Sequence, residues 1–285
     1  MMKKAELEKI LKDCLILAEE TGKLLLKYQE KVGDLKITTK HAQGVVSTAD
    51  YQAEKKIISF LKKKYPQSDF LAEESVYLEH HGKIQSYKNY LDKDWLWIID
   101  PLDGTNNFLN GLSYYAVSIA LCVQGEVVLG LIHRPSSGEY FYALQNQPTQ
   151  FLKNLSSRRK SLDSQTNAKK LKDCLFATGF ITEKGYVDEQ EFELFKEMMR
   201  NSRGLRRMGS ACLDLSYVAR GSFDGFWERG LPPWDIAAAQ LICKNAGVKV
   251  TNYEGRDFAI ADKGIVAARS PVHGKLFRTL QHSLS

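Results

Sequence analysis

Two aspartates, Asp100 and Asp103, follow directly on an apolar run of strand length at residues 95–99. The run is rich in aromatic and β-branched residues and predicts a strand that is buried on both faces. Carboxylates at the end of such a strand need compensation, because an unpaired buried charge is strongly unfavourable. Carboxylate and carbonyl oxygens suit Mg²⁺ or Mn²⁺, and one divalent cation would satisfy both side chains. The pattern indicates a metal site.

An ordinary turn is the alternative interpretation of the same residues. Asp100-Pro101 and Asp103-Gly104 are common turn dipeptides, and Pro101 is expected to end the strand. Taken alone, this stretch leaves both interpretations open, and residues elsewhere in the chain have to decide.

Other candidate residues stand where predicted helices begin. Asp50 and Asp235 each lie in a first helical turn, where a carboxylate is a standard cap. Gly209, Ser210 and Ala211 open a further helix, and such small residues let a ligand approach the backbone closely. Each of these signals is weak by itself.

Glu73 and Glu74 follow a short apolar strand at residues 70–72. Adjacent strand residues point to opposite sides, so only one of the two is expected to face a given site. The polar stretch behind them contains His80 and His81 and is predicted to be a loop, since adjacent histidines rarely bind one metal ion together.

The elements that must position these residues form two groups. Helices are predicted from apolar residues at three- and four-residue steps at 7–28, 50–64, 188–199, 210–219, 234–246 and 271–280. Strands are predicted at 36–39, 70–72, 95–99, 116–123, 126–133, 139–144, 175–180, 205–208, 223–228, 248–251 and 265–268. The first half predicts an α+β domain (1–147) with two helices and a mainly antiparallel sheet. The second half alternates and predicts an α/β domain (148–285).

Composition sets broad limits on the class of protein. The 285 residues are 44% hydrophobic and 26% charged, as expected of a folded chain. The net charge of +6 fits an anionic substrate but is too weak to indicate nucleic acid. Five widely spaced cysteines without a CxxC pair predict reduced thiols. No apolar run of membrane-spanning length and no signal peptide is present, so we expect a cytoplasmic protein that does not enter a membrane.

The combination of motifs is far more specific than any one of them. It comprises Leu-Ala-Glu73-Glu74-Ser, Trp-Ile-Ile-Asp100-Pro-Leu-Asp103-Gly-Thr105-Asn-Asn-Phe, and Glu228 before Trp234-Asp235-Ile-Ala-Ala, with Ser47-Thr48-Ala49-Asp50 and Gly209-Ser210-Ala211. From about residue 40 to residue 250 the chain therefore resembles the inositol monophosphatase superfamily of metal-dependent, lithium-sensitive sugar-phosphate and nucleotide phosphatases. The resemblance implies a layered αβαβα sandwich of the sugar-phosphatase type, and a homodimer.

The resemblance also implies roles for individual residues. Two or three Mg²⁺ ions, with Mn²⁺ as a possible substitute, would be held by Glu73, Asp100, the Leu102 carbonyl, Asp103 and Asp235. Asp100 would bridge the first two ions, and Glu73 with water would hold the third. The catalytic residues would be Asp50, Glu73 and Thr105, of which Asp50 and Thr105 orient and deprotonate the attacking water. The substrate would contact Asp103, Gly104, Thr105, Gly209, Ser210, Ala211, Glu228 and Asp235.

Three departures from the family pattern are visible. The loop Gln43-Gly44-Val45 lacks an acidic residue that many members carry, which bears on the Lys40 segment and the third metal ion. Ala72 and Gln240 stand where glycine is common, and both are expected to be packing variants. None of these changes removes a metal ligand that the resemblance implies.

The leading hypothesis is a Mg²⁺-dependent phosphatase of a small polyol phosphate, with myo-inositol 1-phosphate as the first candidate. Alternatives of the same chemistry are 3′-phosphoadenosine 5′-phosphate, histidinol phosphate and fructose 1,6-bisphosphate. Glu228 favours monophosphates, since a carboxylate accepts hydrogen bonds from hydroxyls but repels a second phosphate.

Two other classes remain open. One is a protein that binds RNA or the transcription machinery through the basic stretch 158–170 and the pair Arg206-Arg207, although these lack interleaved aromatic residues. The other is a structural domain stabilised by metal.

Overall fold

The computed structural model describes residues 2–39, 45–80, 90–163, 170–180, 182–183, 186–187 and 189–284. Its helices are α1 (Lys4–Gln29), α2 (Thr48–Lys64), α3 (Glu73–His80), α4 (Thr105–Leu109), α5 (Glu189–Asn201), α6 (Ala211–Arg220), α7 (Pro233–Asn245) and α8 (Val272–Leu284). Short 3-10 helices span Val32–Asp34 and Leu171–Asp173.

The first seven strands of the chain are β1 (Ile37–Thr39), β2 (Val45–Ser47), β3 (Asp69–Ala72), β4 (Trp95–Asp103), β5 (Ala116–Val123), β6 (Glu126–Arg134) and β7 (Glu139–Leu144). The next five are β8 (Gln150–Leu152), β9 (Lys160–Ser161), β10 (Leu175–Thr178), β11 (Thr182–Glu183) and β12 (Tyr186–Val187). The last four are β13 (Gly204–Arg206), β14 (Gly225–Arg229), β15 (Lys249–Thr251) and β16 (Gly264–Ala268).

Two main sheets contain most of these strands. The larger has the order β3-β4-β5-β6-β7-β8-β9 and is antiparallel except for the parallel pair β3 and β4. The smaller has the order β13-β10-β14-β16-β15 and is mixed, with β10 parallel to both of its neighbours. The remaining strands form the two-stranded pairs β1-β2 and β11-β12.

Helices cover both main sheets and give five layers. α1 and α2 pack on one face of the larger sheet. α6 and α7 fill the space between the two sheets. α5 and α8 cover the outer face of the smaller sheet. This is the predicted αβαβα sandwich, with the predicted antiparallel first sheet and its two helices.

β4 lies at the centre of the packing. Trp97 and Ile99 point to the core beneath α1 and α2, whereas Leu96 and Ile98 point to the core between the sheets. All four side chains have no exposed surface. The prediction of a strand buried on both faces is therefore confirmed.

Two local predictions were wrong. β4 does not end before Pro101 but continues to Asp103, because a β-bulge between Asp100 and Asp103 interrupts its pairing with β5. Proline is tolerated at such a bulge, where the ladder does not need its missing N–H. The stretch from Glu73 to His80 is a helix rather than a strand end followed by a loop.

The remaining predictions have mixed outcomes. All five cysteines are free and buried, as expected. No helix of the described residues is long and apolar enough to cross a membrane. The division at residue 147 stays a prediction, although β8 and β9 beyond it still pair within the larger sheet. His81 and the segment Lys40-His41-Ala42-Gln43-Gly44 lie outside the described residues.

Candidate active site

The bulge in β4 brings the two aspartates to the same side of the sheet. Asp100 lies opposite Ser118 and Asp103 opposite Ala116, so three steps along β4 match two steps along β5. In a regular strand, residues at an odd separation point to opposite faces, and the extra residue of the bulge removes that difference. Both carboxylates are buried, and the Leu102 N–H donates to Asp100 Oδ1 at 2.9 Å.

The parallel pairing of β3 with β4 brings Glu73 to this edge. Ala72, the last residue of β3, is paired with Ile99, directly before Asp100. Glu73 then begins α3, whose first backbone N–H groups bind a glutamate of α2. Glu54 Oε2 accepts from the Glu74 N–H at 2.7 Å, and Glu54 Oε1 accepts from the Ser75 N–H at 2.8 Å. The helix start beside the site is thus held by a buried carboxylate.

Asp50 has two separate functions. Its Oδ2 accepts from the Ser47 N–H at 2.8 Å and completes a capping box, in which Ser47 rather than Asp50 is the N-cap residue of α2. Its Oδ1 accepts from the Thr105 hydroxyl at 2.8 Å, across 55 residues of sequence. The Thr105 hydroxyl also lies 3.1 Å from the Leu102 carbonyl. Asp50 therefore belongs to the capping box of α2 and is at the same time a partner of Thr105.

Asp103 connects the larger sheet to α6. Its Oδ2 accepts from the Ser210 hydroxyl at 2.8 Å and from the Cys212 N–H at 2.9 Å. Asp235 lies in the first turn of α7, whose start is set by Pro233. Ser118 donates to the Trp234 carbonyl at 3.2 Å, which ties this turn to β5.

Burial has the largest effect on the pKa of each of these carboxylates, and repulsion between them adds to it. Burial raises the pKa of Asp100 well above its ordinary value, and the charges of Glu73, Asp103 and Asp235 raise it further. Burial followed by the charges of Asp103 and Glu73 likewise raises the pKa of Asp235. For Asp103, burial raises the pKa, and the hydrogen bonds from Ser210 and Cys212 oppose that effect.

This donor set has the chemistry of a site for hard divalent cations. Four carboxylates interact here, because the charge effects on Asp100 come from Glu73, Asp103 and Asp235, and a cation would reverse them. Within the described part of the chain, no three His, Cys, Asp or Glu side chains already form an ion-binding cluster. In this structure the Leu102 N–H donates to one oxygen of Asp100, and the Ser210 hydroxyl and the Cys212 N–H both donate to one oxygen of Asp103. The residue types fit Mg²⁺, with side-chain adjustment on binding.

A cleft of about 630 Å³ opens beside Asp103 and Asp235. Its described lining comprises Asp103, Asn106, Asn107, Asn110, Thr178, Gly179, Arg207, Met208, Gly209, Ser210, Ala211, Asp214, Glu228, Leu231 and Asp235. Asp103 and Asp235 thus belong both to the carboxylate group and to the cleft. A volume of this size accepts a drug-sized ligand.

Two glycines allow close approaches within the site. Gly104 has φ +97°, and a Cβ there would lie 2.9 Å from the Tyr114 carbonyl oxygen, so a larger residue would be strained. At Gly179 a Cβ would overlap the Glu228 carboxylate, which lies against the Gly179 backbone. Asn107 donates to the carbonyls of Tyr114 and Met208 at 2.7 and 2.8 Å and so joins α4 to the segment before α6.

All predicted site residues lie around this region of the fold. Asp103, Gly209, Ser210, Ala211, Glu228 and Asp235 line the cleft. The charge of Glu73 acts on Asp100 and Asp103. Gly104 directly follows Asp103, and Thr105 joins the Leu102 carbonyl to Asp50. Their functional roles stay predictions.

Several residues of the site were not predicted from the sequence. These residues are Glu54, Asn107, Gly179 and Asp214. Arg207 was predicted only as part of the basic pair Arg206-Arg207. Glu54 had a usable signal, because it follows Asp50 by four residues on a predicted helix and therefore shares its face. Asp214 had none, since its partner, the Tyr114 hydroxyl at 2.6 Å, is 100 residues away.

Comparison with known proteins shows the family of this chain. The sequence profile of the inositol monophosphatase family matches residues 6–285. The chain belongs to the inositol monophosphatase family. Members are phosphoric monoester hydrolases that act on small phosphorylated substrates and depend on metal ions, generally Mg²⁺.

Individual relatives agree with this membership along nearly their whole length. The chain is 33% identical to the Nus factor SuhB of Pasteurella multocida and 35% identical to an inositol-1-monophosphatase of Mesorhizobium japonicum, over 94% of each chain. The solved structure of the extragenic suppressor protein suhB of Bartonella henselae has a TM-score of 0.83 at 35% identity, covering 96% of this chain and 98% of that one. An IMPase of Thermotoga maritima has a TM-score of 0.81 at 27% identity, covering 97% and 98%.

Proposed function

We propose that this member of the family hydrolyses a small polyol phosphate, with myo-inositol 1-phosphate as the first candidate. The observation that carries the proposal is the hydrogen bond from Thr105 to the buried Asp50, placed beside Glu73 and Asp100. A hydroxyl paired with a carboxylate next to a cation site is suited to activating water for attack on phosphorus.

The proposed metal ligands are Glu73, Asp100, the Leu102 carbonyl, Asp103 and Asp235, and the proposed cofactor is two or three Mg²⁺ ions. When bound, Mg²⁺ lowers the pKa of water and neutralises negative charge on the phosphate and the leaving oxygen. Asp100 is proposed as the shared ligand because three other carboxylates act on it.

Thr105 and Asp50 are proposed to receive the proton of the attacking water. The Thr105 hydroxyl donates to Asp50 Oδ1, which leaves its lone pairs to accept a hydrogen bond from water. Burial raises the pKa of Asp50 above its ordinary value and makes its carboxylate a better base. Gly104 and Thr105, at the first turn of α4, are proposed to contact the phosphate with their backbone N–H groups.

The alcohol part of the substrate is proposed to bind Gly209, Ser210, Ala211 and Glu228 in the cleft. A glycine at 179 leaves room for the Glu228 carboxylate, which then lies in the cleft lining where it can accept hydrogen bonds from hydroxyls.

Measurement of phosphate release tests the proposal. The protein is assayed with Mg²⁺ on inositol 1-phosphate, 3′-phosphoadenosine 5′-phosphate, histidinol phosphate and fructose 1,6-bisphosphate, with and without Li⁺. We expect Mg²⁺-dependent release from inositol 1-phosphate that Li⁺ inhibits. Absence of release from all four substrates would refute the enzymatic proposal.

Association with the transcription machinery is a second candidate function. Relatives of this chain carry the name Nus factor SuhB, and the basic residues Arg158, Arg159 and Lys160 are exposed around the short strand β9. If such binding is the main role, Asp100→Asn retains capture of transcription complexes while abolishing turnover. The homodimer and the cytoplasmic location stay predictions.

A further inference from the structure

Arg206 and Arg207 are adjacent in sequence but have different surroundings. The Arg206 guanidinium bonds to the neighbouring Leu205 carbonyl at 2.9 Å and does not line the cleft. The Arg207 guanidinium lines the cleft and lies 5.7 Å from the centre of the Phe180 ring. It also donates to the Phe180 carbonyl at 3.4 Å. These contacts hold a planar cation at the edge of the cleft.

Arg207 is the one cationic side chain among the described residues that line this cleft. The other charged lining residues are Asp103, Asp214, Glu228 and Asp235. Asp103 and Asp235 belong to the proposed metal site, where bound cations would compensate their charge. Beyond the proposed metal site the charged lining residues are Asp214, Glu228 and Arg207, so Arg207 supplies the one positive charge among the described residues there, beside Glu228.

The cleft is also larger than one polyol ring requires. Its volume of about 630 Å³ is that of a site for a drug-sized molecule, whereas a single six-carbon ring occupies only part of it. Asn106 of α4 and Asn110, the residue that follows this helix, add amide groups to the lining, and amides donate to phosphate and carboxylate oxygens.

We propose that Arg207 forms a subsite for a second anionic group, a phosphate or a carboxylate, carried by the alcohol part of the substrate. A guanidinium binds such groups through two parallel hydrogen bonds, which provide both affinity and geometric selectivity. This inference rests on the proposed phosphatase function and specifies its substrate class. It also modifies the expectation that Glu228 favours monophosphates.

A purely compensating role for Arg207 is the competing explanation. The positive charge of Arg207 opposes the rise in the pKa of Glu228 that burial causes, so the two side chains interact. If that were the whole role, loss of Arg207 would lower kcat/KM for all substrates by the same factor. A subsite changes the preference among substrates instead.

Three substrates that differ in the charge of the alcohol part separate these explanations. They are fructose 1,6-bisphosphate (anionic), inositol 1-phosphate (neutral) and histidinol phosphate (cationic). In Arg207→Gln, we expect the ratio of kcat/KM for the bisphosphate to that for inositol 1-phosphate to fall by about 10-fold or more. We expect the ratio in Arg207→Lys to lie between those of the wild type and Arg207→Gln. Arg207→Glu should shift the substrate preference toward histidinol phosphate. Arg206→Gln is the matched control and leaves all three values unchanged.

A carboxylate as the second anionic group is tested separately. The ratio of kcat/KM is measured for a sugar phosphate with a terminal carboxylate and for its uncharged alcohol analogue. A fall in the ratio for one anionic substrate but not the other identifies the preferred group. A ratio in Arg207→Gln within about twofold of the wild-type ratio overturns the subsite, even where wild-type activity on inositol 1-phosphate upholds the proposed function. If the wild-type protein hydrolyses none of the substrates, the proposed function fails, and the subsite is rejected with it.

Discussion

Asp50 and Glu54 lie one turn apart on α2, and each holds a different segment of the candidate site. Asp50 Oδ1 accepts from the Thr105 hydroxyl at 2.8 Å, and Glu54 Oε2 accepts from the Glu74 N–H at 2.7 Å. One helix face therefore positions both the start of α4 and the start of α3. α3 follows β3, and α4 follows β4. Helix α2 therefore supports two segments that come from different strands of the larger sheet.

Replacement of Glu54 tests this support. Glu54→Gln loses one of two acceptor oxygens for the N–H groups of Glu74 and Ser75, so we expect a loss of roughly 1–3 kcal/mol in the free energy of unfolding. Because Glu73 adjoins this helix start, the variant also requires more Mg²⁺ for half-maximal activity, and excess Mg²⁺ restores part of the rate. Urea unfolding and calorimetric Mg²⁺ titration measure the two effects. Glu6→Gln, at an exposed position of α1, is the control. Unchanged Mg²⁺ affinity in Glu54→Gln would show that Glu54 acts on stability alone.

Replacement of Asp100 tests the carboxylate group. Asp100→Asn removes a proposed metal ligand, and we expect it to lower kcat by about a thousandfold or more. The same change removes one of several buried, mutually repelling charges, so the Tm in EDTA should rise rather than fall. Scanning calorimetry of the wild type and of Asp100→Asn, each with EDTA or with Mg²⁺, measures the Tm. Asp69→Asn, whose ion pair with Lys93 is exposed, serves as the control. A lower Tm in EDTA would contradict the electrostatic account.

Replacement of Thr105 tests the activation of water. Thr105→Val keeps the shape of the side chain but removes the hydroxyl that donates to Asp50, and we expect kcat to fall about 100-fold with little change in KM. Thr105→Ser keeps the hydroxyl and most of the rate. Steady-state kinetics on inositol 1-phosphate separate the two variants. Equal rates for both would exclude the hydroxyl from catalysis.

A buried histidine should make stability depend on pH. Burial lowers the pKa of His273 from 6.5 to about 4, and the ring lies 3.0 Å from the Thr251 hydroxyl oxygen. Between pH 6.5 and 4 the unfolded chain binds a proton that the folded chain does not, so this contribution to stability is lost as pH falls. Repelling carboxylates act in the opposite direction, so we compare the wild type with His273→Gln.

The expected difference between their slopes is up to about 1.4 kcal/mol per pH unit, with the wild type losing stability faster on acidification. Urea unfolding at several pH values between 7 and 4.5 measures it. His282→Gln, at an exposed position, should follow the wild type. Parallel curves for the wild type and His273→Gln would show that His273 is not held neutral.

Much of the fold follows from local patterns in the chain. The apolar periodicity of α1, the hairpin at Gln124-Gly125 and the buried strand β4 each depend on neighbouring residues. α3 is different, because its eight residues show little apolar periodicity. Its N-terminus is held by Glu54 from another helix, and that partner is not visible within the α3 segment.

By itself the sequence determined which carboxylates are present and in what order, and that was enough to indicate the family and its metal chemistry. The tertiary structure decided how they are used. A bulge of one residue puts Asp100 and Asp103 on one side of β4, although their separation in a regular strand would divide them. Asp50 reaches Thr105 across 55 residues, and Arg207 lines the cleft where Arg206 does not. These relationships depend on contacts between segments far apart in the chain, and such contacts leave no periodic signal in sequence.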